Sequence, residues 1–278
     1  MGNVSAKIRE AAHPTSPNPL AKMRRIWRLL HVLGIAVVYT TWVGLAVRLR
    51  PQAERPAFRA RRQQVGTTML CRAMGVRVAT QGAPPPGKPM LFVCNHLGVL
   101  DPLILGSQMP LAFAGKAEIK TWLLIGWVCR TFGMLFVDRD RRTRTGTFVE
   151  QVRRKLQAGV SVLVFPEGTT GRGDTVMPFK TGAFQAVAAQ GDAAVLPVFL
   201  DVSAVEGEPA ERGRRYEVSH NNQTFARHCW HLFGLKHIDI TVQVGTPIAA
   251  AGRDRKALAS LAHQAVCALA ERPLVNVN

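Results

Sequence analysis

The longest uninterrupted apolar run, "LLHVLGIAVVYTTWVGLAV" at residues 29–47, has 19 residues and contains no Asp, Glu, Lys or Arg. At about 1.5 Å per helical residue it is just long enough for a hydrocarbon core of ~30 Å. Before it, residues 1–22 form a polar arm, and "HPTSPNP" holds too much proline to begin a helix. After it, "PQAERPAFRARRQQVGTTMLCRAMG" mixes arginines with Phe58, Val65, Met69, Leu70 and Met74. That pattern predicts a basic amphipathic helix lying on a bilayer or on the domain that follows. "QGAPPPGKP", residues 81–89, marks a surface loop.

From there the pattern alternates. Strand-like runs occupy 90–94, 135–138, 160–165, 195–202 and 238–244. Helix-like runs lie between and after them. In 143–158 the residues Phe148, Val152 and Leu156 share one face and Gly159 ends the pattern, and 255–273 closes the chain. Strands apolar on both faces, such as "VSVLVF", predict an α/β fold with a mixed, mostly parallel sheet flanked by helices. The expected organisation is a flexible arm at 1–22, a basic membrane-anchoring helical segment at 23–75, and a catalytic α/β domain at 76–278.

Charge sharpens this division. The chain of 278 residues carries a net +18, and residues 1–72 hold 13 Lys/Arg against 2 Asp/Glu. The positive excess therefore surrounds the apolar run, as expected of a segment that meets anionic lipid. Three readings of that run compete: a buried core helix, a spanning helix, and a segment dipping into one leaflet. Arginines on both flanks give the positive-inside rule no clean orientation. A nucleic-acid partner is not expected, because aromatic residues are not interleaved with the basic ones. The five cysteines, at 71, 94, 129, 229 and 267, follow no metal-ligand or disulfide spacing. A reducing compartment, and a domain on the cytoplasmic face of a membrane, follow as expectations.

Candidate chemistry begins at "LFVCNHLGVLDP", residues 91–102. On a regular helix His96 and Asp101 would point about 140° apart. A strand-to-helix turn through Leu97-Gly98-Val99-Leu100 can bring them together, with Asp101 accepting from one ring nitrogen and raising the basicity of the other. Equally, Asp101-Pro102 reads as an N-cap followed by proline at the first helical position. Cys94 lies two positions before His96 and raises a cysteine nucleophile as a rival, although the end of an apolar run suits a buried small hydrophobe better.

Two further stretches end buried strands. "FPEGTTGRG", residues 165–173, places Glu167 at a sheet rim beside glycines that let backbone amides approach an anion and beside the hydroxyls of Thr169 and Thr170. A plain tight turn is its ordinary reading. "GMLFVDRD", residues 133–140, offers Arg139 to a phosphate, or merely to Asp138 or Asp140.

Together, "NHLGVLD", "GMLFVDR", "FPEGTTG" and "VLPVFL" resemble the four ordered motifs of the glycerolipid acyltransferases similar to 1-acyl-sn-glycerol-3-phosphate acyltransferase. The resemblance covers roughly residues 70–250. It implies that His96 is the general base, Asp101 its orienting partner, and that Asn95, Phe136, Arg139, Glu167, Gly168, Thr169, Thr170 and Lys180 belong to the substrate site. It further implies a fatty acyl thioester, acyl-CoA or acyl-carrier protein, as co-substrate, membrane lipids as surroundings, a lyso-lipid as acceptor, and no cofactor or metal. The first expected acceptor is 1-acylglycerol 3-phosphate. Many members carry arginine where Thr170 stands, so Lys180 or Arg172 would have to supply the missing charge. Lyso-ornithine lipid is the second expected acceptor.

Overall fold

The computed structural model describes residues 19–137, 145–171, 173–188, 191–210, 215, 217–219 and 224–272. The arm expected at 1–22 lies outside them up to residue 18, and from Pro19 onward the chain is already helical. Helix α1 (Pro19–Gly34), a π-helical turn (Ile35–Tyr39) and α2 (Thr40–Arg48) form one helix of 30 residues. Only one face of it is covered. Arg28, Ile35, Thr40, Val43 and Val47 are buried, while Leu20, Met23, Trp27, Leu30, Val38, Trp42 and Leu45 are exposed.

This helix is held along its length. Near its start, Arg24 Nε donates to the Gly234 carbonyl at 2.8 Å, and Arg28 donates to the carbonyls of Leu235 and, at 2.7 Å, Lys236. These carbonyls follow helix α8 (Phe225–Leu232), whose C-terminal end carries partial negative charge that the guanidinium groups meet. Further along, Val43 and Val47 pack with Phe132, and Tyr39 Oη donates to the Arg62 carbonyl at 2.8 Å. Of the three readings of the apolar run, a buried core helix does not survive, because the opposite face is uncovered.

Helix α3 (Arg55–Met74) buries Ala60, Gln63, Thr67, Cys71 and Met74 and ends at Gly75, whose φ of 72° suits a residue without Cβ. The basic helix thus lies on the domain, its small and polar face inward. Strand β1 (Val76–Gln81) follows, then β2 (Leu91–Cys94), α4 (Asp101–Gln108), β3 (Leu111–Lys116), a 3-10 turn (Ala117–Thr121), α5 (Leu123–Phe132) and β4 (Leu135–Val137). The chain continues through α6 (Thr145–Gln157), β5 (Ser161–Val164), α7 (Gln185–Ala188), β6 (Ala194–Val205), β7 (Glu208–Pro209), α8, β8 (Ile238–Val244), β9 (Ile248–Ala249) and α9 (Arg255–Ala270).

The sheet runs β1-β8-β6-β2-β5-β3-β4, with β7 and β9 attached to β6. Neighbours are parallel except that β6 runs antiparallel to β8, β7 and β9. The mixed, mostly parallel sheet expected from the alternating pattern is therefore present. The five anticipated strands appear with small changes of boundary, while β1, β3 and the two-residue β7 and β9 are additional. The β3 segment "LAFAGK" has alanine and glycine where strands prefer branched residues, and it is extended because β5 and β4 pair with it on both sides. On β2, Phe92 and Cys94 face the core under α3, α4 and α8, whereas Leu91 and Val93 face the core under α6 and α9. The period of two thus carries His96 toward the first face and Asn95 toward the second.

Candidate active site

Strand β2 ends at the middle of the sheet, between β5 and β6, and its next residue is clasped from the side. Asn95 Nδ2 donates to the Leu200 carbonyl at 2.9 Å, and its Oδ1 accepts from the Leu200 N–H at 2.8 Å. Its amide is committed to β6 and its side chain is buried. It fixes the point from which the next residue projects.

That residue is His96. Its Nδ1 lies 2.7 Å from Asp101 Oδ2, and the same oxygen accepts the N–H groups of Leu97 at 2.6 Å and Gly98 at 2.9 Å. The turn between strand and helix therefore brings the two side chains together, as the spacing allowed. The capping reading is corrected. Asp101 is the first residue of α4 and makes no cap bond to it; it ties back the turn that precedes the helix. Since a carboxylate only accepts, Nδ1 carries the proton and Nε2 is left as the basic nitrogen. The ring is 19% exposed and stacks on Phe165, with centroids 4.2 Å apart and planes at 16°.

The segment after β5 grips the backbone of His96 in both directions. Gly171 N–H donates to the His96 carbonyl at 2.7 Å, and the Glu167 carboxyl accepts the backbone N–H groups of Met177 and His96. Glu167 is 4% exposed, so it does not line an open acceptor site. Burial pushes its carboxyl up to about 8, opposed by those two N–H donors and reinforced by the nearby Asp101 charge. Glu167 thus holds the base in place. Hydrophobic run, proline and glycine placed it at the rim correctly, but gave no sign that its partners would be main-chain amides.

Gly168 has φ of 76°, and a Cβ there would stand 2.4 Å from Lys180 Nζ. The missing side chain lets Lys180 lie across the loop, beside exposed Thr169 and half-buried Thr170. Gly168, Thr169, Thr170 and Lys180 thus share this loop region. Phe136 does not. It sits on β4, three strands from β2, or roughly 14 Å at ~4.8 Å per strand. Arg139 and Arg172 lie outside the described residues. Cys94 is fully buried, its thiol pushed well up by burial and by the charges of Asp101 and Glu167, which removes it as a thiolate nucleophile. Among the described residues no cluster of His, Cys, Asp and Glu could hold a metal ion.

Residues 75–201 match the family model of the acyltransferases. The lyso-ornithine lipid O-acyltransferase of Pseudomonas aeruginosa is 32% identical over 89% of this chain and 93% of its own length. The 1-acyl-sn-glycerol-3-phosphate acyltransferase of Neisseria meningitidis is 31% identical over 64% of this chain and 68% of its own. The crystal structure of the 1-acyl-sn-glycerophosphate acyltransferase from Thermotoga maritima shares the fold, with a TM-score of 0.67 over 90% of this chain and 96% of that one at 19% identity. With a hydrogen-bonded His96–Asp101 pair at the end of a central parallel strand and relatives of this extent, the chain belongs to the acyltransferase family.

Proposed function

We propose that this protein moves a fatty acyl group from a thioester to the free hydroxyl of a lyso-lipid at a membrane surface, and that the acceptor is lyso-ornithine lipid. The observation that carries the chemistry is the His96–Asp101 pair, which leaves Nε2 as the base of a ring that is partly exposed. Nε2 takes the proton of the acceptor hydroxyl, and the oxygen forms a bond to the thioester carbonyl carbon. The tetrahedral intermediate collapses by breaking the carbon–sulfur bond, and the thiolate leaves with the proton from the imidazolium. Acyl-CoA or acyl-carrier protein supplies the thioester, and the step needs no cofactor.

Support for the acceptor comes from the length of the likeness. The Pseudomonas relative aligns nearly end to end, beyond the catalytic motifs. Thr170, standing where many glycerophosphate enzymes carry arginine, agrees with an acceptor that lacks phosphate. A second reading, acylation of 1-acylglycerol 3-phosphate to phosphatidic acid, is favoured by the Neisseria relative and by Lys180 beside Gly168.

The exposed apolar stripe of α1 and α2 would enter the headgroup layer, keeping the catalytic domain on the cytoplasmic face where soluble thioesters arrive. Arg24 and Arg28 stay bonded to the domain, so the helix lies along the bilayer surface and does not leave the domain to span.

The full chain in detergent, given labelled acyl-CoA or acyl-carrier protein and each lyso-lipid in turn, should esterify lyso-ornithine lipid. His96→Ala should lower the rate by about 10²–10⁴-fold. Transfer to 1-acylglycerol 3-phosphate alone would establish the second reading, and transfer to neither would overturn both.

A further inference from the structure

Between Asn95, Gly173 and β6 lies a cavity of ≈ 330 Å³, and its walls carry charges of both signs. Asp201, on β6, is only 5% exposed at its side chain, and its Oδ2 accepts from Arg215 Nη2 at 2.7 Å. Asp174 and Arg272 complete the charged lining, with Phe199 as an apolar wall. The volume falls at the lower end of small-molecule pockets.

The cavity adjoins the catalytic turn. Asn95, which lines it, immediately precedes His96. A Cβ on Gly173 would stand 3.3 Å from Leu97 Cδ2 and 3.9 Å from Arg215 Cβ, so one glycine separates that turn from the ion pair. Among the described residues the pair is also incompletely satisfied. Arg215 Nε is buried with no hydrogen-bond partner among the described residues. A carboxylate offers about four lone-pair positions, and Arg215 and the Val202 N–H occupy two of those on Asp201.

Charge decides what fits. Among the described residues the lining sets Asp174 and Asp201 against Arg215 and Arg272, so it offers carboxylates to a cation and guanidinium groups to an anion. A ligand carrying one ammonium and one carboxylate matches it at both ends. We infer that this cavity is the headgroup site for a zwitterionic amino-acid lipid, with Asp201 receiving the ammonium and Arg215 the carboxylate. The inference rests on lyso-ornithine lipid as the acceptor: ornithine acylated on one nitrogen keeps a carboxylate and a second, charged amine. Docked there, the headgroup leaves its hydroxyl-bearing chain to run along Gly173, which lies between Arg215 and the Leu97 side of the catalytic turn. Asp201 and Arg215 are then specificity residues, binding substrate away from the reacting atoms.

The test compares three acceptors on the full-length enzyme: lyso-ornithine lipid, its carboxyl methyl ester, and its N-acetyl derivative. On the wild type each blocked acceptor should show KM raised about tenfold, the worth of one charged hydrogen bond, with kcat within about twofold. Asp201→Asn should raise KM for the unmodified lipid and make acetylation harmless, while Arg215→Gln should do the same for esterification. Equal KM for all three acceptors on the wild type would overturn the inference and leave lyso-ornithine acylation standing. So would variants that lose kcat on every acceptor alike together with a lower Tm, since the pair would then be a structural brace. No acylation of lyso-ornithine lipid by the wild type would overturn both readings. The wild-type comparison needs no variant, so poor folding of a broken buried pair does not blunt it.

Discussion

Asn95 bonds the backbone of Leu200 in both directions, Nδ2 to the carbonyl at 2.9 Å and Oδ1 to the N–H at 2.8 Å. Beyond the end of β2, that clasp replaces the sheet's own hydrogen bonds and passes the rigidity of β6 to His96. Asn95→Ala would leave the Leu200 N–H and carbonyl buried and unpaired. We expect a loss of about 1–3 kcal/mol in stability, measured by urea denaturation, and a fall in kcat larger than any change in KM. An unchanged kcat would mean that the turn orients His96 without the clasp.

Asp101 holds both the imidazole and the turn, because Oδ2 accepts from His96, Leu97 and Gly98 at once. Asp101→Asn keeps the shape but offers a single acceptor oxygen and puts an N–H group on the other arm. Activity should fall by about 10²-fold or more, with thermal stability reduced as well. A variant of Asp101→Asn with wild-type kcat would remove Asp101 from the mechanism.

Glu167 makes stability depend on pH in a direction unusual for a carboxyl. Its folded value of about 8 lies above the ordinary 4.5, so between these the folded protein holds a proton that the unfolded chain has released. That contribution is complete below about pH 4.5 and is lost as pH rises through about 8. Glu167→Gln should flatten this slope in denaturation midpoints collected from pH 5 to 8.5. An identical slope in the variant would show that Glu167 is ionised throughout.

Cys94 is fully buried against the site, with Sγ 3.4 Å from Asn95 Oδ1. Cys94→Ala should retain acyl transfer, with a stability loss of about 1–2 kcal/mol from the vacated volume, and the wild-type enzyme should not form an acyl-thioester at this position. Mass spectrometry after incubation with labelled acyl-CoA checks the second point.

Trp27 and Trp42 stand exposed on the uncovered face of the long N-terminal helix. If that face enters lipid, each ring of roughly 150–250 Å² contributes through burial at ~25 cal/mol per Å². Replacing both by serine should weaken binding to anionic vesicles at least about tenfold while leaving activity on detergent-dispersed acceptor nearly intact. Equal vesicle binding would place the membrane contact elsewhere, for example at exposed Trp122 and Leu123.

The sequence by itself determined the elements whose burial is written into one strand or helix. Apolar runs set β2, β5, β6 and β8, the apolar stripe set α6, and the motif at 95–101 marked a base and its partner. It left β3 hidden, because alanine and glycine become a strand only when neighbours on both sides pair with them. It showed Glu167 and Asn95 as polar residues at strand ends and nothing more. Whether such a residue faces a ligand or a main-chain amide depends on segments about 10 and 105 positions away, which only folding brings near. Asp201 did leave a trace, a lone acid inside "VLPVFLDVSAV" that a buried strand must satisfy. Its partner Arg215 and the cavity that both line were decided by tertiary structure alone, because charge complementarity is a property of surfaces that meet in space.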